Sequence, residues 1–213
     1  MLFQNREDAG SRLADRLRHH QAQPGTVVLG IPRGGLVVGR AVADALKLPL
    51  GVCAVHKLGA PGNPELAIGA VDDESGIVTD PRLIRRLGIS PVEVATEAAV
   101  QRDRLRAWVQ QFGSSATGLE KDQTVILVDD GIATGATAQA GIQAARRREA
   151  HRVVLAVPVA PRESLAGLRS MVDELVCLAT PEPFYAVGNF FEEWPQVTDA
   201  EVRLLLGPRP DGG

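Results

Sequence analysis

The sequence predicts an α/β fold, a parallel twisted sheet flanked by helices. Three observations carry it. Apolar, β-branched runs at residues 26–31, 124–128 and 152–159 read as buried strands. Segments with helical spacing separate them, as parallel neighbours require, since each return to the same sheet edge needs a crossover. Small-residue loops rich in Gly follow the first and the 124–128 strands, at the carboxyl ends where open α/β sheets place their sites. The chain of 213 residues is 45% hydrophobic and 23% charged, enough for one domain with a substantial core. No repeat and no interior linker divides it, so residues 1–213 are read as a single domain.

Taken in order, residues 6–21 form a modest amphipathic helix with Leu13 and Leu17 one turn apart. His19 and His20 close it and are read as surface residues. The strand at 26–31 leads into Pro32-Arg33-Gly34-Gly35 and a helix through residues 36–46. Gly34 and Gly35 let a ligand approach the main chain, and Arg33 can grip an oxyanion with its planar fork of donors. A tight turn with an exposed Arg is the bland alternative.

A second strand spans 50–55. Residues 56–65 (HKLGAPGNPE) hold two Gly and two Pro and read as a long mobile loop, about 57–67, before a returning strand at 66–71. Residues 72–79 are expected to make a hairpin turning at Glu74-Ser75-Gly76. Ser90, Pro91 and Glu93 form a capping-box pattern opening a helix to about residue 111, with an apolar stripe of Val94, Ala98, Leu105, Trp108 and Val109. A loop at 113–118 precedes the 124–128 strand. The helix at 138–149 ends in Arg146-Arg147-Arg148, read as a solvated face complementing the helix dipole. A strand at 152–159, a helix at 161–171 and a short strand at 174–178 follow. Residues 181–191 concentrate the aromatics Phe184, Tyr185, Phe190 and Phe191, with Trp194 beyond.

Composition excludes several classes. A net charge of −3 argues against broad nucleic-acid binding. No apolar run approaches a membrane span and no signal-like segment opens the chain, so a cytoplasmic location is expected. Cys53 and Cys177 sit in strand-like runs and are expected to be buried small hydrophobes, neither disulfide-bonded nor metal-binding. Nucleophile-elbow and zinc-protease motifs are absent.

The chemistry concentrates at residues 124–137 (TVILVDDGIATGAT). A buried strand ends in two acids, a Gly/Thr loop follows, and a helix begins. Unpaired helix amides and the positive dipole end point into that loop, with Thr134 and Thr137 as hydroxyl donors. The result is an anion cradle. An ordinary strand–turn–helix connection is the alternative. The loop is not a Walker A motif, since no Lys follows Gly135, and it lacks dinucleotide-fingerprint spacing. Two carboxylates beside an anion site would repel the ligand unless it also brings hydroxyl donors, as a sugar phosphate does.

This stretch resembles the phosphoribosyl-pyrophosphate (PRPP) signature of the type I phosphoribosyltransferases, and Pro32-Arg33-Gly34-Gly35 is similar to their pyrophosphate loop. The resemblance extends over about residues 27–205. It implies a phosphoribosyltransferase-like fold with a small C-terminal hood at about 181–206. It implies that Asp129 and Asp130 hold the ribose hydroxyls, and that Gly131, Ile132, Ala133, Thr134, Gly135, Ala136 and Thr137 wrap the 5′-phosphate. Arg33 and Lys57 would contact pyrophosphate, and a mobile loop would close over the centre.

The implied activity is transfer of the 5-phosphoribosyl group of PRPP to a nitrogen acceptor, a nucleobase in salvage members, releasing pyrophosphate. Mg²⁺ would be bound chiefly through PRPP, with no dedicated protein metal site. Partners would be PRPP and a small-molecule acceptor, with a homodimer permitted and neither membrane nor nucleic acid expected. Phe184 is the candidate base-stacking residue, although Pro183 stands where purine-salvage members carry a Lys. The roles of His56 and Glu65 stay open. A regulator that senses PRPP on the same fold is the alternative to an enzyme.

Overall fold

The computed structural model describes residues 2–112 and 120–207; the 113–118 loop expectation falls outside them. Five strands form a parallel sheet in the order β2-β1-β6-β7-β8: β1 (Thr26–Gly30), β2 (Leu50–Val52), β6 (Thr124–Val128), β7 (Arg152–Val159) and β8 (Glu174–Ala179). A three-stranded antiparallel sheet adds β3 (Val55–Ala60), β4 (Asn63–Asp72) and β5 (Ile77–Thr79).

Side-chain alternation sorts the central strands between two cores. Val28, Ile126 and Val154 face α1 (Arg6–Arg16) and α2 (Gly34–Leu46), meeting Leu13, Val42 and Leu46. Val27, Leu29, Val125, Leu127, Val153 and Leu155 face α5 (Ala136–Arg147) and α6 (Arg162–Arg169). With both faces covered, strands must be apolar at every position, which is why their sequences read as continuous runs.

The small sheet is where expectation and structure part. Residues 57–67 are not a loop: β3 and β4 pair from Val55↔Asp72 to Ala60↔Asn63. Pro61 and Gly62 occupy the tip, and register shifts around Gly59 absorb its irregularity, so these residues punctuate a hairpin instead of dissolving it. The expected strand at 50–55 also divides, β2 ending at Val52 in the main sheet before Val55 starts the hairpin. One face of the hairpin packs Val55, Ala70 and Val78 into the core beneath α5. The other packs Leu58, Ile68 and Val71 on Ala98 of α4 (Pro91–Phe112).

The hairpin into β5 forms as expected, and Ser90–Glu93 caps α4 reciprocally: the Glu93 amide donates to Ser90 Oγ at 3.2 Å, and Glu93 accepts the Ser90 amide at 2.9 Å. A helix not anticipated, α3 (Pro81–Leu87), is capped by Asp80, whose carboxylate accepts the Arg82 and Leu83 amides. The last helix is α7 (Asp199–Leu206), opened by a Thr198–Glu201 capping box.

The arginine run lies at the surface end of α5 as expected, Arg146 and Arg147 exposed and Arg148 half-buried, while the expectations for His20 and Cys177 are corrected. Arg146, Arg147 and Arg148 are ion-paired, with Asp173, Asp72 and the Asp73/Glu74 pair respectively. Arg147 and Arg148 clamp the β4–β5 turn to the end of α5, and Arg146 ties that end to Asp173 before β8. His20 is only 4% exposed, because the 3-10 turn Arg18–His20 folds it onto Glu174 of β8. His19, exposed, reaches the same carboxylate at 2.9 Å. Cys53 is buried, its thiol pushed up to about 12 chiefly by burial, while Cys177 on edge strand β8 is half-buried. Among the described residues, no helix is long and apolar enough to cross a membrane.

Candidate active site

β6 ends at Val128 and delivers Asp129 and Asp130 to the carboxyl edge of the sheet. The Asp130 amide donates to Asp129 Oδ1 at 2.8 Å, and Asp130 Oδ2 accepts from Arg6 Nε at 2.8 Å. Burial raises both carboxyls above the ordinary carboxylate range. For Asp129 the negative charge of Asp130 adds to the rise; for Asp130 the Arg6 guanidinium works against it.

The loop that follows is held from both ends. The Ile132 amide donates to Val159 O at 2.9 Å and its side chain is buried, so this amide is committed to the fold. The Ala133 carbonyl accepts from Ser164 Oγ at 2.6 Å. Gly135 then adopts φ 85°, ψ −3° at the N-cap of α5, a conformation that favours glycine, and contributes no side-chain cap. The leading amides of α5 are thereby presented to the crevice. Thr134 is exposed and Thr137 half-buried beside them. A cleft of about 660 Å³ opens there, walled by residues 131–139, Lys57, Asp129 and Val187.

The Pro32–Gly35 loop interlocks with this one. The peptide between Pro32 and Arg33 is cis. A Cβ on Gly35 would stand 2.7 Å from Val128 O and 2.9 Å from the Asp129 Cα; one on Gly34 would run into the Asp130 carboxylate. Glycine is required at both for close approach of the two loops. Arg33 pairs with Asp199 of α7 at 2.9 Å, and Trp108 Nε1 donates to the same carboxylate. On this side lies a second cavity of about 590 Å³ walled by Arg6, Arg33, His56, Arg104 and Trp108. Partial burial lowers the His56 imidazole below its ordinary range; Gln101 opposes this, while Arg104, Lys57 and Arg33 reinforce it. The acid pair therefore has a helix N-terminus and Lys57 on one side, and an Arg-rich cavity on the other.

Of the residues singled out from sequence, the structure brings together Asp129, Asp130, Lys57, the 131–137 loop and Pro32–Gly35. Phe184 is not on the wall of either cavity; it packs on Phe190 at a ring separation of 5.0 Å. Val187 lines the cleft instead. The hood is also built partly from the N-terminus: Phe3 bridges to Phe191, and their rings lie 5.2 Å apart. Glu65's side chain lies outside the described residues.

Sequence reasoning missed Arg6, Ser164 and Arg104. Each lies on an otherwise ordinary amphipathic helix, with no local signal of what it faces. Burial is the first cause of the rise in both carboxyls, and Asp130 is already paired with Arg6. Among the described residues, the one His/acid cluster at metal-binding distances is His19, His20 and Glu174, remote from this edge.

The parallel sheet carries an acid pair and the uncapped start of α5 at one strand end, the edge where open α/β sheets place their sites. The profile of the phosphoribosyl transferase domain matches residues 2–182, and the chain belongs to that family. A Mycobacterium tuberculosis protein described as a "putative phosphoribosyl transferase" is 41% identical over 209 residues, covering 96% of this chain. The chain spans 46% of that relative's length. The crystal structure of TT1426 from Thermus thermophilus is 40% identical, with a TM-score of 0.79, covering 97% of this chain and 98% of that one.

Proposed function

We propose that the chain transfers the 5-phosphoribosyl group of PRPP to a nitrogen acceptor, a nucleobase in the simplest case, with release of pyrophosphate. One observation carries the reading: the uncapped start of α5 and the Asp129–Asp130 pair form one surface, interlocked with the Arg33-bearing loop. The free amides of Ala136 and Thr137, with the hydroxyls of Thr134 and Thr137, fit a terminal phosphate. The acid pair fits vicinal ribose hydroxyls, which are donors. Arg33 and Lys57 border the region where negative charge grows as pyrophosphate departs.

Positive charge developing on the ribose ring would be stabilised by the carboxylate charge beneath it, so positioning and electrostatics suffice without a strong general base. Mg²⁺, held through PRPP oxygens beside the acid pair, would neutralise phosphate charge. The β3–β4 hairpin, standing where a mobile loop was expected, would wall the centre against water. Its substrate is PRPP, its acceptor a small molecule, and a homodimer is compatible with the reading.

Pyrophosphate release from labelled PRPP, followed across a panel of nucleobases, tests the proposal. Release with at least one acceptor, lost in Asp130→Asn, is the expected result. Binding of Mg²⁺–PRPP without release under any acceptor would favour a PRPP sensor, and absence of binding would refute both.

A further inference from the structure

We propose that Arg6, on the N-terminal helix, is the positioning residue of the acid pair: it makes Asp130 the member that carries negative charge into the crevice and ties that charge to the C-terminal hood. The inference deepens the phosphoribosyl reading and rests on it for its functional consequence.

Two neighbouring carboxyls at the end of a buried strand repel each other, and they share charge as a coupled pair. Here the pair is asymmetric. Asp129 Oδ1 receives the Asp130 amide, whereas Asp130 Oδ2 receives a guanidinium N–H at 2.8 Å. That guanidinium is itself enclosed: Arg6 is 7% exposed. A desolvated cation must be satisfied from several sides, and Arg6 is. Its Nη1 donates to Pro195 O at 2.8 Å, and its Cζ stands 3.6 Å over the Trp194 ring.

Trp194 stacks in turn on Phe191 at 4.5 Å, and Phe191 on Phe3. One side chain thus touches the carboxylate and two residues of the hood, within a cluster that also holds the chain's first residues. The carboxylate has little freedom to turn, because Gly34 presses on it from α2, where a Cβ would already be 2.9 Å from Arg6 Nε.

The charges facing Asp130 are few. Asp129 lies alongside and Arg6 opposite; Glu201 of α7 stands beyond Arg6, and α2 presents only glycine. Burial therefore disfavours the anion. The Arg6 guanidinium, as a charge and as a hydrogen-bond donor, is the largest effect favouring it, with smaller support from hydrogen bonds to Asp129 and the main chain. An ionised acceptor makes the stronger hydrogen bond to a sugar hydroxyl, so Arg6 acts on ligand binding through Asp130. Lysine at this position would keep the charge but lose the fork that spans Asp130 and Pro195.

The test reads two properties of the full chain. Carbon-13 carboxyl NMR titration of the free protein, with Asp130 assigned through Asp130→Asn, compares wild type, Arg6→Met and Arg6→Lys. Removing an opposite charge at this distance is expected to raise the Asp130 midpoint by about 1–3 units in Arg6→Met, and less in Arg6→Lys. Calorimetry with Mg²⁺–PRPP should then show Arg6→Met binding about tenfold or more weaker at pH 6, the gap narrowing at pH 8. Arg6→Lys should restore most of the affinity.

An unmoved Asp130 midpoint in Arg6→Met overturns the proposal, as does an affinity loss equal in both variants and independent of pH. If Arg6→Met fails to fold alone, the double variant Arg6→Met/Asp130→Asn carries the argument. It should fold, and bind PRPP no more weakly than Asp130→Asn; a further loss would refute the role. Absence of heat with wild type would remove the phosphoribosyl reading but leave the titration to decide the Arg6 assignment.

Discussion

Replacing Gly34 by Ala tests the interlocking of the two loops most directly. The added Cβ would sit 2.5 Å from Asp130 Cγ and 2.9 Å from Arg6 Nε, closer still to the carboxylate oxygen. Carbon atoms prefer about 3.5–4.0 Å, so the carboxyl must retreat by roughly 1 Å. Arg6 cannot follow freely, being held by Pro195 O and Trp194. Overpacking of this kind costs about 1–3 kcal/mol, which for a chain of this size lowers Tm by roughly 2–12 °C. A displacement of about 1 Å at a reacting centre can cost about a hundredfold in turnover.

Differential scanning calorimetry would give the first quantity and pyrophosphate release from PRPP the second. Gly167→Ala in α6 is the control, since nothing lies within 4 Å of its added Cβ. It should be neutral or stabilising by up to about 1 kcal/mol. A Gly34→Ala protein with wild-type Tm and turnover would refute the claim that this glycine exists to let Asp130 approach.

Further consequences follow from the same geometry. Asp129 has its carboxyl raised by burial and by the charge of Asp130. Its ionised form therefore disfavours the fold at every pH above the unfolded value of about 3.9, increasingly so up to the folded value. Asp129→Asn should raise Tm at pH 7, with the gain shrinking toward pH 4, while weakening Mg²⁺–PRPP binding; melts across that range check it. Ser164→Ala removes the hydroxyl that fixes the Ala133 carbonyl and should cost about 0.5–1.5 kcal/mol of stability, with a rise in KM for PRPP exceeding any fall in kcat. Asp72 is 1% exposed, pairs with Arg147 and accepts the Gly76 amide at 2.6 Å. Asp72→Ala should destabilise by about 1–3 kcal/mol in urea unfolding, since Arg147 can turn to solvent and the loss is mainly that of the turn amides' acceptor, without direct effect on the 131–137 loop.

Local chemistry was what the sequence could express. Residues 124–137 announce a strand, an acid pair and a helix start because each follows from neighbours a few positions away. The α4 capping box and the β4–β5 turn were legible for the same reason. Glycine and proline at 59–64 were read as a broken chain because their role depends on the partner strand: only pairing shows that they mark a bulge and a tip. The position of Arg146, Arg147 and Arg148 at the solvated end of α5 is legible in the sequence, but their partners are not: the acid paired with Arg147 lies more than seventy residues earlier.

By itself, then, the sequence determined the layered α/β sheet and the strand, acid pair and helix start of residues 124–137, since hydrophobic period and helix-start chemistry are short-range properties. Tertiary structure alone decided which charges meet. Arg6 and Asp130 stand 124 positions apart, and Phe184 turns toward Phe190 while Val187 takes the cleft wall. Coulomb and packing energies depend on distance in space, and no periodicity along the chain records that distance.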